Sequence, residues 1–176
     1  CATYRAETKA YQLSIASKIG FKVPMTLIGN DFVRLQEIEN KVIIKSLDTV
    51  LLRDNNDCLF AYSTVESSSE LTDENVSAVP LTVQKYVSPK TDVRVTVIGG
   101  MLTAVKITSS GQGIAEDWRL VNRNAIEYTE IKLPHYIMQQ CIKLLEALDL
   151  NFGAIDLVES DGNYYFIEIN PTGEWG

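Results

Sequence analysis

The stretch GAIDLVESDGNYYFIEINP, residues 153–171, decides the fold of this chain. Aliphatic and polar residues alternate on both sides of Asp161-Gly162, which predicts two β-strands joined by a tight turn. Glu168 and Asn170 are two residues apart in the second strand, so their side chains share one face. The corresponding polar position in the first strand is Asp156.

The length of the turn determines whether Asp156 joins that face. A two-residue turn at Asp161-Gly162 would pair Asp156 with Ile167 and bury the carboxylate among isoleucines. A three-residue loop, Ser160-Asp161-Gly162 with the glycine left-handed, shifts the register by one residue and leaves the aliphatic side chains on the core face. Burying an isolated carboxylate costs several kcal/mol. The three-residue loop is therefore predicted, with Asp156 on the face of Glu168 and Asn170.

These three side chains form a candidate metal site made only of oxygen ligands. Carboxylate and amide oxygens without sulfur or imidazole favour Mg²⁺ or Mn²⁺ over zinc. An ordinary solvated face could carry the same charges, and the pattern alone leaves that alternative open. Ala154, Val158 and Phe166 are expected on the same face, which argues that it is not simply hydrated.

Composition limits the kinds of partner that the chain can bind. Its 176 residues are 45% hydrophobic and 22% charged, which suits one soluble domain or two small lobes. A formal charge of -7 argues against binding to nucleic acid or to an anionic membrane. A polyphosphate ligand remains compatible, because local Lys and Arg residues and a metal ion can override the net charge.

Cysteine usage and hydropathy indicate a cytoplasmic protein. Cys1, Cys58 and Cys141 are an odd number without paired spacing, and Cys141 falls on the apolar side of a predicted helix. A reduced thiol is expected there, as in a reducing cytosol. No apolar run approaches the ~20 residues of a membrane span, and no signal peptide is evident. The abrupt ends of the chain suggest a fragment of a longer protein.

The rest of the chain predicts short helices and mostly antiparallel strands, an α+β fold class. Gly20 is expected to end the first helix, Asn30 or Asp31 to cap the second, and Gly99-Gly100 to form a primed hairpin turn. The predicted elements are a helix at 10–19, a strand at 25–28, a helix carrying Phe32, Leu35 and Ile38, a strand at 41–45, a hairpin of 49–52 with 59–65, a polar loop or lobe boundary at 66–77, a strand at 81–87, a hairpin of 92–98 with 101–108, a flexible loop at 109–119 and a helix opened by Pro134.

Several motifs resemble the ATP-grasp superfamily. The strings AIDLV at 154–158 and FIEINP at 166–171 are similar to the end of that fold. Asp117-Trp118-Arg119 and the ending NPTGEWG resemble the microviridin-type (graspetide) peptide ligases, as does the N-terminal pattern of Lys9, Gln12 and Leu13. The resemblance covers nearly all of the chain.

The resemblance implies two lobes whose antiparallel sheets clamp ATP, at 1–80 and 81–176, without the family's N-terminal lobe. It implies that Asp156, Glu168 and Asn170 hold the Mg²⁺ (or Mn²⁺) that bridges the ATP phosphates. The hairpin at 49–65 departs from the family pattern, because it lacks glycine where a glycine-rich loop often covers the phosphates.

Other residues take family roles one at a time. Lys45 matches a lysine that reaches the phosphates, and Arg94 matches the arginine that faces the acyl phosphate. Arg119 matches a phosphate- or substrate-facing arginine that Asp117 could orient. Lys106 is a further nucleotide-binding candidate, but a two-residue turn at 99–100 would place it on the face opposite Arg94. The resemblance implies that the adenine hinge is Gln84, Lys85, Tyr86 and Val87, where adenine is recognised mainly by backbone groups. It also implies that Asp92 contacts the ribose or the hinge.

The implied reaction is a two-step ligation with ATP. A side-chain carboxylate of a ribosomally made precursor peptide attacks the γ-phosphate, and a Ser, Thr or Lys side chain then displaces phosphate to form an ester or amide. Two alternatives remain: another carboxylate–amine ligase, such as a ribosomal-protein glutamate ligase, or a module that binds ATP without catalysis. His135, in the first turn of a predicted helix, is expected to be a surface residue. The sequence does not indicate an oligomeric state.

Overall fold

A computed structural model describes most of the chain. It covers residues 2–38, 40–46, 51–54, 57–60, 63–115 and 117–173, with the backbone alone at 51–54, 57–60 and 75. Some predictions lie outside this description: residues 49–50, 55–56 and 61–62 of one hairpin, 174–176 of the family resemblance, and the thiols of Cys1 and Cys58.

Short helices are interspersed among runs of strands in the described residues, with three short 3₁₀ turns at Ser68–Glu70, Trp118–Leu120 and Arg123–Ala125. In chain order they are α1 Ala2–Ala6, α2 Lys9–Ile19, β1 Thr26–Gly29, α3 Phe32–Leu35, β2 Lys41–Lys45, β3 Leu51–Asp54, β4 Asp57–Phe60, β5 Thr64–Ser67, α4 Asp73–Ser77, β6 Leu81–Lys85, β7 Thr91–Ile98, β8 Met101–Ser109, β9 Ile126–Glu130, α5 His135–Leu148, β10 Phe152–Ser160 and β11 Asn163–Asn170.

The chain divides into two compact units. One unit is Cys1–Val23 with Val87–Gly176, and the other is Pro24–Tyr86. The first two helices belong with the C-terminal part because α2 packs on α5 and β11. The lobes predicted at 1–80 and 81–176 remain a prediction, and they divide the chain at different points from these compact units.

The larger unit contains a five-stranded antiparallel sheet in the order β11-β10-β7-β8-β9. Its core lies between the sheet and the helices, because α5 presents one apolar face to the inward-facing residues of β7 and β10. Cys141 is a free, fully buried thiol on that face, as predicted. The buried residues of the α5 face are Ile137, Cys141, Leu144, Leu145 and Leu148.

The smaller unit contains a four-stranded antiparallel sheet in the order β1-β6-β2-β5, with β3 and β4 paired as a separate hairpin. Its core packs α3 and α4 against β2 and β6 through Leu35, Val42, Val76 and Val83. Every strand pairing among the described residues is antiparallel, which confirms the predicted α+β class. None of the described helices has the length and hydropathy that a membrane span requires.

Local signals predicted most of the element ends correctly. Gly20 ends α2 in the left-handed conformation, with φ 104°, and the Asp31 side chain caps α3 by accepting a hydrogen bond from the Arg34 backbone. Gly99 and Gly100 both have positive φ, as a primed hairpin turn requires.

Some local predictions were wrong. The polar stretch at 66–77 was expected to be a loop or a lobe boundary. The loop was wrong, because the stretch forms the end of β5, a 3₁₀ turn and α4. Asp73 and Glu74 favour the helix start, and the fully buried Val76 anchors it. Strand β9 was missed because its side chains are mostly exposed, so it shows no alternation of apolar and polar residues.

Candidate metal centre

The terminal hairpin is closed by a two-residue turn. Ser160 pairs with Asn163, and the intervening Asp161 and Gly162 have φ values of 49° and 75°. Positive φ at both central residues defines a type I′ turn. The predicted three-residue loop is therefore wrong.

A β-bulge provides the shift in register that the turn does not. Asp156 pairs with Glu168, whereas the next pair is Leu157 with Phe166, so Ile167 is the extra residue. The bulge brings Asp156 directly opposite Glu168 on one face of the sheet, as predicted. It also resets the alternation, which corrects one expectation: Phe166 faces the core, fully buried 5.5 Å from the ring of Phe21.

Strand β7 adds Arg94 to this face. Arg94 pairs with Asp156 across the sheet, and its Nη1 lies 2.8 Å from both carboxylate oxygens. The two side chains are only 18% and 15% exposed. Buried Ala154 and Val158 flank Asp156 on the strand. The alternative of an ordinary solvated face therefore does not hold for Asp156.

Arg119 joins the two carboxylates from a 3₁₀ turn. Its Nη2 lies 3.5 Å from Asp156 Oδ2 and 3.4 Å from Glu168 Oε1. Asp117 caps the turn by accepting a hydrogen bond from the Arg119 backbone at 3.1 Å, and its carboxylate lies 3.4 Å from the Arg119 guanidinium. The guanidinium also stacks on Trp118, 5.3 Å from the ring centroid. Asp117 thus orients Arg119. The carboxylates of Asp156 and Glu168 both approach the same nitrogen, Nη2 of Arg119.

Sequence reasoning gave no role to two lysines of this cluster. Lys9 Nζ lies 2.9 Å from Glu168 Oε2, across 159 positions of sequence. Lys90 Nζ lies 2.6 Å from Asp92 Oδ2, and both of these side chains are largely buried. The helical spacing of Lys9 and Gln12 was the only available signal for the first lysine. For Lys90, the only signal was its position two residues before Asp92.

The charges of the cluster balance, with four acids and four bases. Burial raises the pKa of Asp156 above its ordinary value; the guanidinium of Arg94 opposes that rise and the Glu168 carboxylate adds to it. Burial also raises the pKa of Asp92, against the attraction of Lys90. The cluster consists of Asp92, Asp117, Asp156, Glu168, Lys9, Lys90, Arg94 and Arg119.

The donor set fits a hard divalent cation. Asn170 lies two residues from Glu168, and its Oδ1 accepts hydrogen bonds from the backbone and hydroxyl of Thr172 at 3.1 and 2.9 Å. Within the described residues, no three His, Cys, Asp or Glu side chains group as a metal site. Two converging carboxylates with a nearby amide match Mg²⁺, which needs only one or two carboxylates from the protein.

Comparison with known proteins identifies the family. The sequence model of the RimK-like ATP-grasp domain matches residues 6–174. This chain belongs to that family. The ATP-grasp fold expected from the terminal hairpin is therefore confirmed.

Solved structures of peptide-modifying ATP-grasp ligases are similar to this chain. One is a RiPP-associated ligase from Chryseobacterium gregarium in complex with ADP and a leader and core peptide, with TM-score 0.86 and 29% identity over 99% of this chain and 54% of that chain. Another is the macrocyclase MdnC from Microcystis aeruginosa MRC with the precursor peptide MdnA, with TM-score 0.79 and 23% identity over 99% and 55% of the two chains.

A third structure contains magnesium. It is the ATP-grasp ligase PsnB with a minimal precursor, Mg and ADP, with TM-score 0.75 and 22% identity over 99% of this chain and 52% of that chain. This ATP-grasp chain thus spans about half the length of these solved structures. No curated protein matches the sequence.

Two other ATP-grasp candidates, Lys45 and Gln84, lie together in the smaller unit. Lys45 Nζ lies 3.4 Å from Gln84 Oε1, and the buried Gln84 amide donates to Thr26 Oγ1 at 2.9 Å. In the predicted hinge, the N–H of Lys85 donates to the carbonyl of Met25, just before β1, and the N–H of Tyr86 donates to the carbonyl of Lys41 in β2. Adenine recognition at 84–87 stays a prediction. Because these two N–H groups already have acceptors, it would use other groups of the segment.

The structure separates Lys106 from the cluster. Lys106 pairs with Val93, whereas Arg94 pairs with Val105, so Lys106 and Arg94 face opposite sides of the sheet. Its Nζ lies 3.9 Å from Glu159 Oε2. The placement that the two-residue turn at 99–100 predicted is thus confirmed. His135 is exposed at the start of α5, as expected.

Proposed function

We propose that this chain carries the ATP machinery of a ligase that activates a side-chain carboxylate of a peptide as an acyl phosphate. The convergence of Asp156 and Glu168 on a single nitrogen of Arg119 carries the proposal. Two carboxylates that approach one point beside two arginines suit a metal-bound polyphosphate. The whole reaction is proposed for the complete protein.

The arginines would bind and orient the transferring group. Arg94 and Arg119 present guanidinium groups, whose planar donors match phosphate and carboxylate oxygens. Asp117 and Trp118 hold Arg119 in place, so little side-chain entropy is lost on binding. Phosphoryl transfer requires mainly positioning and charge neutralisation, and no histidine or thiol near this cluster is needed.

Asp156, Glu168 and Asn170 would hold Mg²⁺ or Mn²⁺. The bound cation would neutralise charge on the ATP phosphates. Lys45, the 84–87 hinge and Asp92 are proposed nucleotide contacts, with Asp92 held by Lys90. Lys106 is left out of this proposal because it occupies the other face of the sheet.

The proposed chemistry balances in two steps. An oxygen of the peptide carboxylate bonds to the γ-phosphorus while the bond to the β–γ bridging oxygen breaks, which releases ADP and leaves an acyl phosphate. A Ser or Thr hydroxyl or a Lys amine then bonds to the acyl carbon, inorganic phosphate leaves, and the nucleophile loses its proton. The products are an ester or an amide.

A ribosomally made precursor peptide is the proposed substrate. Two of the similar solved ligases are complexes with leader and core or precursor peptides, which supports a peptide over a free amino acid. One alternative is another carboxylate–amine ligase of the ATP-grasp superfamily, such as a ribosomal-protein glutamate ligase. ADP release decides between them. Release with a leader-bearing precursor peptide is expected, and release with free glutamate but not with the peptide contradicts the proposal.

The metal assignment is tested on the full chain by titration calorimetry with ADP, with and without Mg²⁺. Asp156→Asn and Glu168→Gln should each weaken the magnesium-dependent affinity by about tenfold or more, because each removes a ligand charge. Glu159→Gln is the matched control. Its carboxylate lies on the same strand as Asp156 but pairs with Lys106 on the other face, so the affinity should not change. Wild-type affinity in both Asp156→Asn and Glu168→Gln would defeat the assignment.

A further inference from the structure

A buried glutamine of α2 is bonded to the strand that carries two of the candidate metal ligands. Gln12 is 3% exposed. Its Nε2 donates to the carbonyl of Ile169 at 2.8 Å and to that of Ala6 at 2.6 Å, and its Oε1 accepts from the N–H of Ile169 at 3.1 Å. The side-chain amide therefore both donates to and accepts from the backbone of one residue of β11, Ile169.

This exchange replaces a neighbouring strand. β11 is the last strand of its sheet, so its outer N–H and C=O groups have no strand partner there. The Gln12 amide satisfies them at Ile169, much as a paired backbone would. Further back along the same edge, the carbonyl of Lys22 accepts from the Phe166 N–H at 2.8 Å. The outer edge of β11 is thus held on both sides of Ile167 and Glu168.

On the inner edge of β11, the pairing with β10 is interrupted beside Glu168. The register between β10 and β11 shifts between Asp156 and Leu157, and Ile167 is left out of the pairing. A bulge disrupts the hydrogen-bond ladder locally and lets the strand bend. The position of Glu168 beside that bulge therefore depends on what holds the outer edge.

We infer that Gln12 is a positioning residue, which acts through the backbone of Ile169 to hold Glu168 and Asn170 in place for the metal. Ile169 lies between these two residues, so a shift of its backbone moves both. Lys9, one turn earlier on α2, contacts Glu168 itself at 2.9 Å. The inference rests on the proposed metal role of Glu168 and Asn170.

The side chain at this position must both donate and accept. Methionine has a similar shape but would leave the N–H and C=O of Ile169 and the C=O of Ala6 without partners. Asparagine keeps the amide but is one methylene shorter, so it cannot span the same gap. Both substitutions therefore break the two hydrogen bonds between Gln12 and Ile169, called the clamp below, but only methionine also removes the polar amide.

The first test compares Gln12→Met with Ala16→Gly in the full chain. Ala16→Gly weakens the same helix, because glycine has the lower helix propensity, and it removes no side-chain hydrogen bond. Calorimetry measures ADP affinity with Mn²⁺ and with EDTA, corrected for the folded fraction. Gln12→Met should weaken Mn²⁺-dependent binding by about tenfold or more and leave binding in EDTA unchanged. Equal Mn²⁺-dependent affinity in Gln12→Met and Ala16→Gly would overturn the inference.

The second test needs neither nucleotide nor metal. NMR hydrogen exchange compares the Ile169 amide with the Phe166 amide on the same edge, in the wild type and in Gln12→Asn, which keeps a polar amide if Gln12→Met does not fold. Faster exchange at Ile169 alone is expected, and equal acceleration at both amides would refute the clamp. Wild-type ADP binding that ignores Mn²⁺ contradicts the proposed function, whereas the exchange comparison judges the clamp by itself.

Discussion

Removal of the Arg94 guanidinium should destabilise the fold in a pH-dependent way. Arg94 and Asp156 are both less than one-fifth exposed, and a single nitrogen of Arg94 contacts both carboxylate oxygens at 2.8 Å. Loss of one partner from a buried ion pair costs about 3–5 kcal/mol, because the other charge stays buried without compensation. Arg119 remains 3.5 Å from Asp156, so Arg94→Met should lie near the lower end of that range at neutral pH.

The pH dependence follows from the direction of the Asp156 pKa. Burial already raises that pKa, and loss of the Arg94 cation should raise it further. A raised pKa in the folded state contributes stability that is lost as pH rises through it, so the variant regains stability as pH falls. As pH falls through the raised pKa toward the ordinary value of 3.8, each pH unit should return up to about 1.4 kcal/mol relative to the wild type.

Urea denaturation at two pH values measures this effect as a shift of the midpoint at constant slope. Asp156→Asn and the double variant Arg94→Met/Asp156→Asn serve as controls. The double variant should lose much less than the sum of the single losses, because it leaves no buried charge unpaired. An Arg94→Met deficit that is the same at both pH values, together with additive losses, would refute the reasoning.

Two further predictions concern Gly113, in the loop after β8, and Asp92, at the start of β7. A Cβ at Gly113 would lie 1.8 Å from the Lys90 carbonyl oxygen, so Gly113→Ala should lower the urea midpoint. The control Gly111→Asn should not lower it, because Gly111 lies in open space at a φ that asparagine tolerates. Equal urea midpoints for the two variants would contradict the close approach at Gly113. Burial raises the pKa of Asp92 above 3.8. The wild type should therefore lose stability relative to Asp92→Asn as pH rises from about 4 toward neutrality, by at most about 1.4 kcal/mol per pH unit. A stability difference that grows in favour of the wild type as pH rises would contradict this prediction.

Local chemistry encodes the elements of this protein in its sequence. Alternation along 153–171 predicted the terminal hairpin, and Gly99-Gly100 set the register that separates Arg94 from Lys106. Gly20 and the apolar face of α5 likewise predicted where helices end and which sides they bury. These features depend on neighbours a few residues apart, so a single sequence is enough to infer them.

The same local reasoning placed Asp156 correctly but for the wrong reason. The burial argument required a shift of one residue, and it assigned that shift to the turn. The structure puts it at Ile167, because the turn residues Asp161 and Gly162 both adopt positive φ and close a two-residue turn. A bulge and a longer loop satisfy the same polar pattern, so only the folded register distinguishes them.

The sequence alone thus determined the hairpin, its oxygen-rich face and the resemblance to the ATP-grasp fold. Tertiary structure decided which charges meet there. Lys9 reaches Glu168 from the other end of the chain, and Gln12 holds the strand beside it. These contacts leave no local periodicity in the sequence, because they form only once α2 packs beside β11 in the folded chain.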